Sequence, residues 1–290
     1  MVISKNRADI SRDILRSRHK TLSVIMTAEI ALFPNHGLTD LLVFRSALRS
    51  ALITKRLEVG VSERTALDVR IGNILSHCEA AFRHLVIGFC WPYKGEFDLR
   101  PLAMRWSSEG VTVALCALTG VGAPMRFRRW SPAVPLVPGA YGIPIPLGTE
   151  VMVPDLLLIP LVGFDSQAYR LGYGGGYFDR FLGELQVKPI TIGVSYDLMR
   201  VDSIQPQPHD VPMDFIVTDS AIFAARDSTL ERVEEGGFPS RLTSLATARR
   251  LPRQQPDNGS VSQLSSPVCY AREFPGYFGE TADGDSKQEE

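Results

Sequence analysis

The residues best suited to chemistry are four glycines in five positions, Gly172, Gly174, Gly175 and Gly176, which we call the glycine-rich turn. Glycine permits positive φ angles and lets backbone N–H groups approach a ligand closely. Such N–H groups at the start of a helix make an anion site, to which the helix dipole adds about half a positive charge. The turn therefore predicts a phosphate site, and the alternative is a flexible surface loop.

Charged residues flank this turn on both sides. Arg170 precedes it and offers a planar guanidinium that suits phosphate, whereas the lysine of a P-loop and the spacing of a dinucleotide fingerprint are missing. Asp179 follows it, and Mg²⁺ beside a phosphate needs only one or two protein carboxylates. Asp210 is the candidate second ligand. The alternatives are a first-turn helix acid for Asp179 and a turn residue for Asp210.

Composition excludes several classes of protein. The 290 residues are 44% hydrophobic with a formal net charge of −1, which is ordinary for a globular protein and predicts no nucleic-acid partner. The four cysteines match neither a zinc site nor a disulfide framework. Residues 22–33 are apolar but contain Glu29, and crossing a bilayer needs roughly twenty apolar residues. We expect a cytoplasmic protein with no membrane association; an organellar address is the alternative.

Short apolar segments that alternate with helical patterns predict the elements that position these residues. Strands are expected at 84–90, 111–117, 155–160 and 189–194, with a last short strand at 214–218 that closes the sheet. This alternation predicts a single-domain, layered α/β fold in which helices flank a mainly parallel sheet.

Three regions follow from the same patterns. Residues 1–40 form an N-terminal extension that is poorly ordered or partly helical, and residues 41–227 form the α/β domain. Residues 228–290 lose the apolar periodicity and are rich in polar residues, so we predict a disordered tail.

Seven segments carry a resemblance that extends over roughly residues 42–220. They are Asp155–Asp165, Tyr169–Arg180, Arg45–Arg49, Ile87–Asp98, Pro124–Phe127, Tyr141–Pro146 and His209–Asp219. Together they resemble the 5-formyltetrahydrofolate cyclo-ligase family. The resemblance implies a Rossmann-like fold of the kind that this family shares with sugar-phosphate isomerases and CoA transferases.

The resemblance also implies an activity and its ligands. An enzyme of this kind cyclises 5-formyltetrahydrofolate to 5,10-methenyltetrahydrofolate, depends on ATP and Mg²⁺, and releases ADP and phosphate. Its expected partners are the small molecules ATP and reduced folate, and its expected state is a monomer or homodimer.

Residue roles follow from the resemblance by position. The implied ATP-binding residues are Arg45, Arg49, Arg170, Leu171, Gly172, Tyr173, Gly174, Gly175, Gly176, Tyr177 and Phe178. The implied folate-binding residues are Trp91, Glu96, Tyr173, Gly174, Gly175, Gly176 and Tyr177. The implied Mg²⁺ ligands are Asp179 and Asp210.

Two departures from the family pattern bear on activity. Arg45 stands where the family has lysine, which keeps the charge and changes its geometry, and Met199 stands where the family has glutamine. The alternative function is therefore a catalytically altered relative that binds nucleotide or folate as a regulatory module. A dinucleotide oxidoreductase is disfavoured because no G-x-G-x-x-G opens the first βα unit.

Overall fold

The computed structural model describes residues 38–249, and a nine-stranded sheet dominates this part of the chain. Contacts divide the chain into two compact units, Met1–Phe44 and Arg45–Glu290. The helices are α1 (Leu38–Leu57), α2 (Val61–Ser76), α3 (Glu79–Phe82), α4 (Arg100–Ser108), α5 (Tyr177–Glu184) and α6 (Phe238–Arg249), with 3₁₀ turns at Ala140–Gly142, Asp197–Met199 and Glu235–Gly237. The strands are β1 (Val86–Phe89), β2 (Thr112–Ala117), β3 (Arg126–Trp130), β4 (Leu136–Pro138), β5 (Pro144–Pro146), β6 (Val151–Met152), β7 (Leu156–Pro160), β8 (Gly163–Phe164), β9 (Arg170–Leu171), β10 (Ile190–Val194), β11 (Phe215–Val217), β12 (Ile222–Arg226) and β13 (Thr229–Val233).

The centre of the sheet is parallel and its two sides are antiparallel. The order is β13-β12-β11-β10-β7-β1-β2-β3-β6, and the strands from β11 to β2 pair in parallel. A β12–β13 hairpin adds to one side, and β3 with β6 adds to the other. Because parallel strands end at the same edge, the loops after β1, β7 and β10 converge there.

Burial on both faces explains why the central strands are continuous apolar runs. All five residues of β10 are buried, as are all four of β1. Close packing here also requires a glycine. A Cβ on Gly88 would lie 2.5 Å from Cδ2 of Leu157 and 2.8 Å from Cγ of Pro154, so any side chain at this position would displace these two side chains.

Helix α5 is anchored to the sheet by its apolar face. Phe181 and Leu182 are buried, and the ring of Phe181 lies 5.2 Å from that of Phe127 on β3. At the start of the helix, the Tyr177 hydroxyl accepts a hydrogen bond of 3.0 Å from the N–H of Gly122, in the loop after β2. These contacts place the first turn of α5 at the carboxyl edge of the parallel strands.

The mixed α/β architecture predicted from the sequence is confirmed, with a correction to the sheet. We predicted a mainly parallel sheet, but four of its eight strand pairings are antiparallel. We predicted that the strand at 214–218 closes the sheet, which is wrong because β12 and β13 extend the sheet beyond β11. The Rossmann-like relationship stays a prediction.

A second correction concerns residues 228–290, which we predicted to be disordered. Thr229–Val233 is a strand and Phe238–Arg249 is a helix. Phe238 is fully buried, with its ring 5.2 Å from that of Phe215, and Arg249 forms two hydrogen bonds of 2.6 and 2.8 Å with Asp214. The sequence pattern missed α6 because only Phe238 and Leu242 are buried, one turn apart.

The other boundaries of the three regions predicted from the sequence stay predictions. Residues 1–37 and 250–290, including the apolar stretch at 22–33, lie outside the described part of the chain. Within residues 38–249, none of the helices has the length and apolar character needed to cross a bilayer.

Candidate active site at the glycine-rich turn

The glycine-rich turn connects β9 to α5, as the sequence predicts. Gly174 has φ +91° and Gly176 has φ +61°, and Gly176 is the N-cap of α5. Both are left-handed conformations that glycine adopts without strain. A Cβ on Gly175 would lie 2.6 Å from the ring of Tyr177. Three consecutive positions therefore require glycine, and they bring the chain to the unpaired N–H groups of the first helical turn.

Arg49 of α1 lies against this turn. Its Nε donates a hydrogen bond of 2.8 Å to the carbonyl of Gly172. Its guanidinium carbon would lie 3.3 Å from a Cβ on Gly174, so the side chain occupies the space that this glycine leaves open. The structure thus brings Arg49 together with the turn, as the predicted ATP site requires.

Arg170 is held by bonds within the protein. The side chain is buried, its Nη2 lies 2.5 Å from Oδ1 of Asp179, and its Nη1 lies 2.5 Å from the carbonyl oxygen of Val211. The same Asp179 oxygen accepts the N–H of Val211 at 3.2 Å. These bonds tie α5 to the segment before β11. The phosphate contact predicted for Arg170 stays a prediction.

Arg45 and Asp210, predicted for ATP and metal, are paired with each other. The Arg45 guanidinium lies 2.5 Å from Asp210 and also donates to the carbonyls of Ile204 and Gln205. Burial alone would raise the pKa of Asp210. The hydrogen bonds from Arg45 and the N–H of Gln207 outweigh burial, so the pKa is lowered and the carboxylate stays charged.

The two predicted metal ligands differ in how well they fit a cation. Within the described residues, Oδ2 of Asp179 accepts no hydrogen bond and the side chain is 25% exposed. Asp210 is 10% exposed, and both of its oxygens face Arg45. No group of three or more ligating side chains occurs in residues 38–249. Asp179 therefore fits Mg²⁺ that is otherwise coordinated by phosphates and water.

Glu96 lies in the loop after β1 and is buried among hydrogen-bond donors. Its Oε1 accepts the hydroxyl of Tyr173 at 2.8 Å, and its Oε2 accepts the N–H of Tyr93 at 2.9 Å. Burial raises its pKa to about 6, against the opposing effects of the Arg56 charge and these two hydrogen bonds. Glu96 therefore changes its charge close to neutral pH.

Arg56, which the sequence analysis missed, completes this network. It is 1% exposed and donates to the carbonyls of Lys94 and Leu161 and to the hydroxyl of Tyr173, at 2.9, 3.0 and 2.7 Å. Helical spacing would have found it, because Arg56 is eleven positions after Arg45 and lies on the same face of α1. A narrow crevice is lined by Arg56, Glu96 and the residues at the ends of β7 and β10.

The remaining predicted residues surround the turn less directly. Leu171 is buried in β9, and Phe178 lies under the Arg170 guanidinium at 5.8 Å. The Tyr177 hydroxyl lies 3.2 Å from that of Tyr141. The half-buried ring of Trp91 stacks on Arg100, whose guanidinium carbon is 4.5 Å from the ring centroid.

The chain is similar to known proteins in sequence and in structure. The 5-formyltetrahydrofolate cyclo-ligase family matches residues 45–219. The chain is similar to the 5-formyltetrahydrofolate cyclo-ligase of Escherichia coli K12, with 28% identity over 188 residues that cover 62% of this chain and 99% of that protein.

Two solved structures are also similar. The 5,10-methenyltetrahydrofolate synthetase of Aquifex aeolicus has 31% identity and a TM-score of 0.55, covering 66% of this chain and 96% of that one. The enzyme of the same name from Mycoplasma pneumoniae has 25% identity and a TM-score of 0.50, covering 60% and 98%.

Proposed function

This chain belongs to the 5-formyltetrahydrofolate cyclo-ligase family, a family of enzymes, and we propose that it cyclises 5-formyltetrahydrofolate to 5,10-methenyltetrahydrofolate with ATP and Mg²⁺. The products besides the methenyl compound are ADP and phosphate. Its partners are then small molecules, ATP and reduced folate. A cytoplasmic location and a monomeric or homodimeric state stay predictions from the sequence.

The observation that carries this proposal is the hydrogen bond between Tyr173 and Glu96. Tyr173 belongs to the glycine-rich turn, which leads into the N-terminus of α5, and Glu96 is a buried carboxylate after β1. A carboxylate accepts hydrogen bonds from the N–H groups of a heterocycle such as the folate pterin. The bond therefore connects a site suited to phosphate with a site suited to folate.

The proposed reaction transfers phosphate and then closes a ring. The formyl oxygen attacks the γ-phosphorus of ATP, the bond to the β–γ bridging oxygen breaks, and ADP leaves. N10 then attacks the activated carbon and gives up its proton, the carbon–oxygen bond breaks, and that oxygen and the proton leave as hydrogen phosphate. No protein side chain forms a covalent bond in these steps, so the contribution of the chain is positioning and charge stabilisation.

Residues of this chain have separate tasks in the proposal. The N–H groups at the start of α5 and the guanidinium of Arg49 bind phosphate oxygens. Glu96 and Tyr173 orient the folate, with Trp91 and Tyr177 at its border. Mg²⁺, when bound, neutralises phosphate charge, and Asp179 would hold it. Asp210 stays a predicted second ligand, which would have to leave Arg45.

The full chain, mixed with 5-formyltetrahydrofolate and Mg·ATP, tests the proposal by the near-ultraviolet absorbance of the methenyl product. Absorbance should develop with the complete mixture and not when ATP or Mg²⁺ is omitted. If ATP binds and no methenyl product forms, the enzyme proposal is wrong and the regulatory binding module takes its place.

A further inference from the structure

The arginines around the glycine-rich turn differ in how many of their donors are used within the protein. Arg45, Arg56 and Arg170 each donate at least three hydrogen bonds or pair with a carboxylate at close range. Arg49 gives its Nε to the carbonyl of Gly172. A phosphate bound at this turn would be bound more tightly if a second arginine, with donors that are not used within the protein, lay beside Arg49, and Arg180 is the candidate.

Arg180 lies on the first turn of α5, directly over the N-cap glycine. Its Nη1 would be 3.0 Å from a Cβ on Gly176, so the guanidinium occupies the space beside that residue. The guanidinium carbon is 5.1 Å from the ring centroid of Tyr177, a cation–π contact that orients the fork. Arg180 is thus half-buried and held at the mouth of the turn by an aromatic face.

The donors of Arg180 have no acceptor among the described residues. None of the ion pairs or side-chain hydrogen bonds of residues 38–249 includes its guanidinium, so its five N–H donors are not used by the described part of the chain. Arg170, ten positions earlier, differs because both of its terminal nitrogens donate hydrogen bonds, Nη1 to the carbonyl of Val211 and Nη2 to Asp179. The two arginines that flank the glycine-rich turn therefore have different tasks.

We propose that Arg180, and not Arg170, is the guanidinium that joins Arg49 in binding the phosphate groups of ATP at the glycine-rich turn. This inference rests on the proposed function, since it assigns a residue to the same nucleotide site. The planar guanidinium matches two oxygens of a phosphate. The ring of Tyr177 already restricts the orientation of this guanidinium, so less conformational entropy is lost when phosphate binds. Arg170 instead positions α5 through Asp179.

Nucleotide affinities of the full chain test this assignment, measured by calorimetry for a non-hydrolysable ATP analogue and for AMP. Loss of charge-assisted hydrogen bonds should weaken binding of the ATP analogue to Arg180→Gln by about 10- to 100-fold. Binding of AMP should change less than about 3-fold, because AMP lacks the β- and γ-phosphates, and Arg180→Lys should recover part of the loss. The control Arg83→Gln, an exposed arginine before β1, should bind both nucleotides as the wild type does.

Thermal unfolding separates phosphate binding from a structural role. Arg180→Gln should keep the Tm of the wild type, whereas Arg170→Gln should lower it, because Asp179 and the carbonyl of Val211 lose their donor. Wild-type affinity of Arg180→Gln for the ATP analogue, or equal losses for AMP, would overturn the assignment. Absence of methenyl product with the wild type would instead overturn the proposed reaction, and the affinities would still decide the role of Arg180.

Discussion

Tyr173 in the glycine-rich turn donates its hydroxyl proton to Glu96 in the loop after β1, across 2.8 Å. The same hydroxyl accepts a hydrogen bond from Nη2 of Arg56 on α1 at 2.7 Å. One tyrosine therefore joins a helix, a strand loop and the turn, and it does so in a buried place where unpaired polar groups are costly.

Tyr173→Phe removes both of these hydrogen bonds and leaves the ring. The buried donor on Arg56 and the buried oxygen of Glu96 both lose a partner, so the free energy of unfolding should fall by about 1–3 kcal/mol. Urea denaturation measures this. Tyr169→Phe is the control, because its hydroxyl makes no hydrogen bond among the described residues, and an equal loss there would mean that the network does not stabilise the fold.

The charge of Glu96 should make stability depend on pH. Its pKa is raised from 4.5 to about 6, so the folded chain binds more protons at Glu96 than the unfolded chain does between these values. The stability that Glu96 contributes is fully present below its unfolded pKa and is lost as pH rises through its folded pKa, about 2 kcal/mol in all. The unfolding free energy of the wild type should therefore fall by about 2 kcal/mol relative to that of Glu96→Gln between about pH 4 and about pH 7. A difference that does not vary with pH contradicts the raised pKa.

Sequence reasoning found the elements of this site better than it found their partners. The glycine-rich turn and the apolar central strands were predictable because backbone conformation and burial on both faces leave local patterns. The pairing of Arg45 with Asp210 was not, because these residues are far apart in the chain and only the fold brings them within 2.5 Å. Residue types at a site limit its chemistry, and tertiary contacts decide which charges remain for a ligand.

The C-terminal elements β13 and α6 could not be predicted from the sequence pattern either. β13 has one buried residue, Val233, and α6 buries only Phe238 and Leu242. Such sparse burial leaves little periodicity in the sequence. Two tertiary contacts hold α6 in place instead, the ring contact of Phe238 with Phe215 and the ion pair of Arg249 with Asp214.

Phe238→Ala tests whether α6 belongs to the folded domain. The substitution leaves a cavity against Phe215 and should lower the free energy of unfolding by about 3–5 kcal/mol, measured in urea. Removal of residues 250–290, which are rich in polar residues and lie outside the described part of the chain, should leave stability and activity unchanged. Wild-type stability of Phe238→Ala would mean that α6 contributes little to the fold.

Asp179→Asn tests the metal role against the structural one. Loss of a ligand should reduce kcat/KM by about 100-fold and raise the Mg²⁺ concentration needed for half-maximal activity. Asp227→Asn is the control, since Asp227 is 95% exposed in the β12–β13 turn with a positive φ that asparagine also adopts. If Asp179→Asn loses stability and keeps the wild-type Mg²⁺ requirement, Asp179 serves only to hold Arg170.

Gly174→Ala tests whether ATP binding needs the conformation of the glycine-rich turn, and Gly183→Ala is the control for replacing a glycine outside the turn. Gly174 has φ +91°, and its new Cβ would lie 3.3 Å from the Arg49 guanidinium carbon, so alanine there should cost about 1–3 kcal/mol of stability and weaken ATP binding by displacing Arg49. Gly183 lies near the end of α5 with open space around it, and alanine there should gain up to about 1 kcal/mol with unchanged ATP affinity. Urea denaturation and calorimetry measure both quantities. Wild-type ATP affinity of Gly174→Ala would show that nucleotide binding does not depend on this conformation, and the phosphate site would then have to lie elsewhere on the sheet edge.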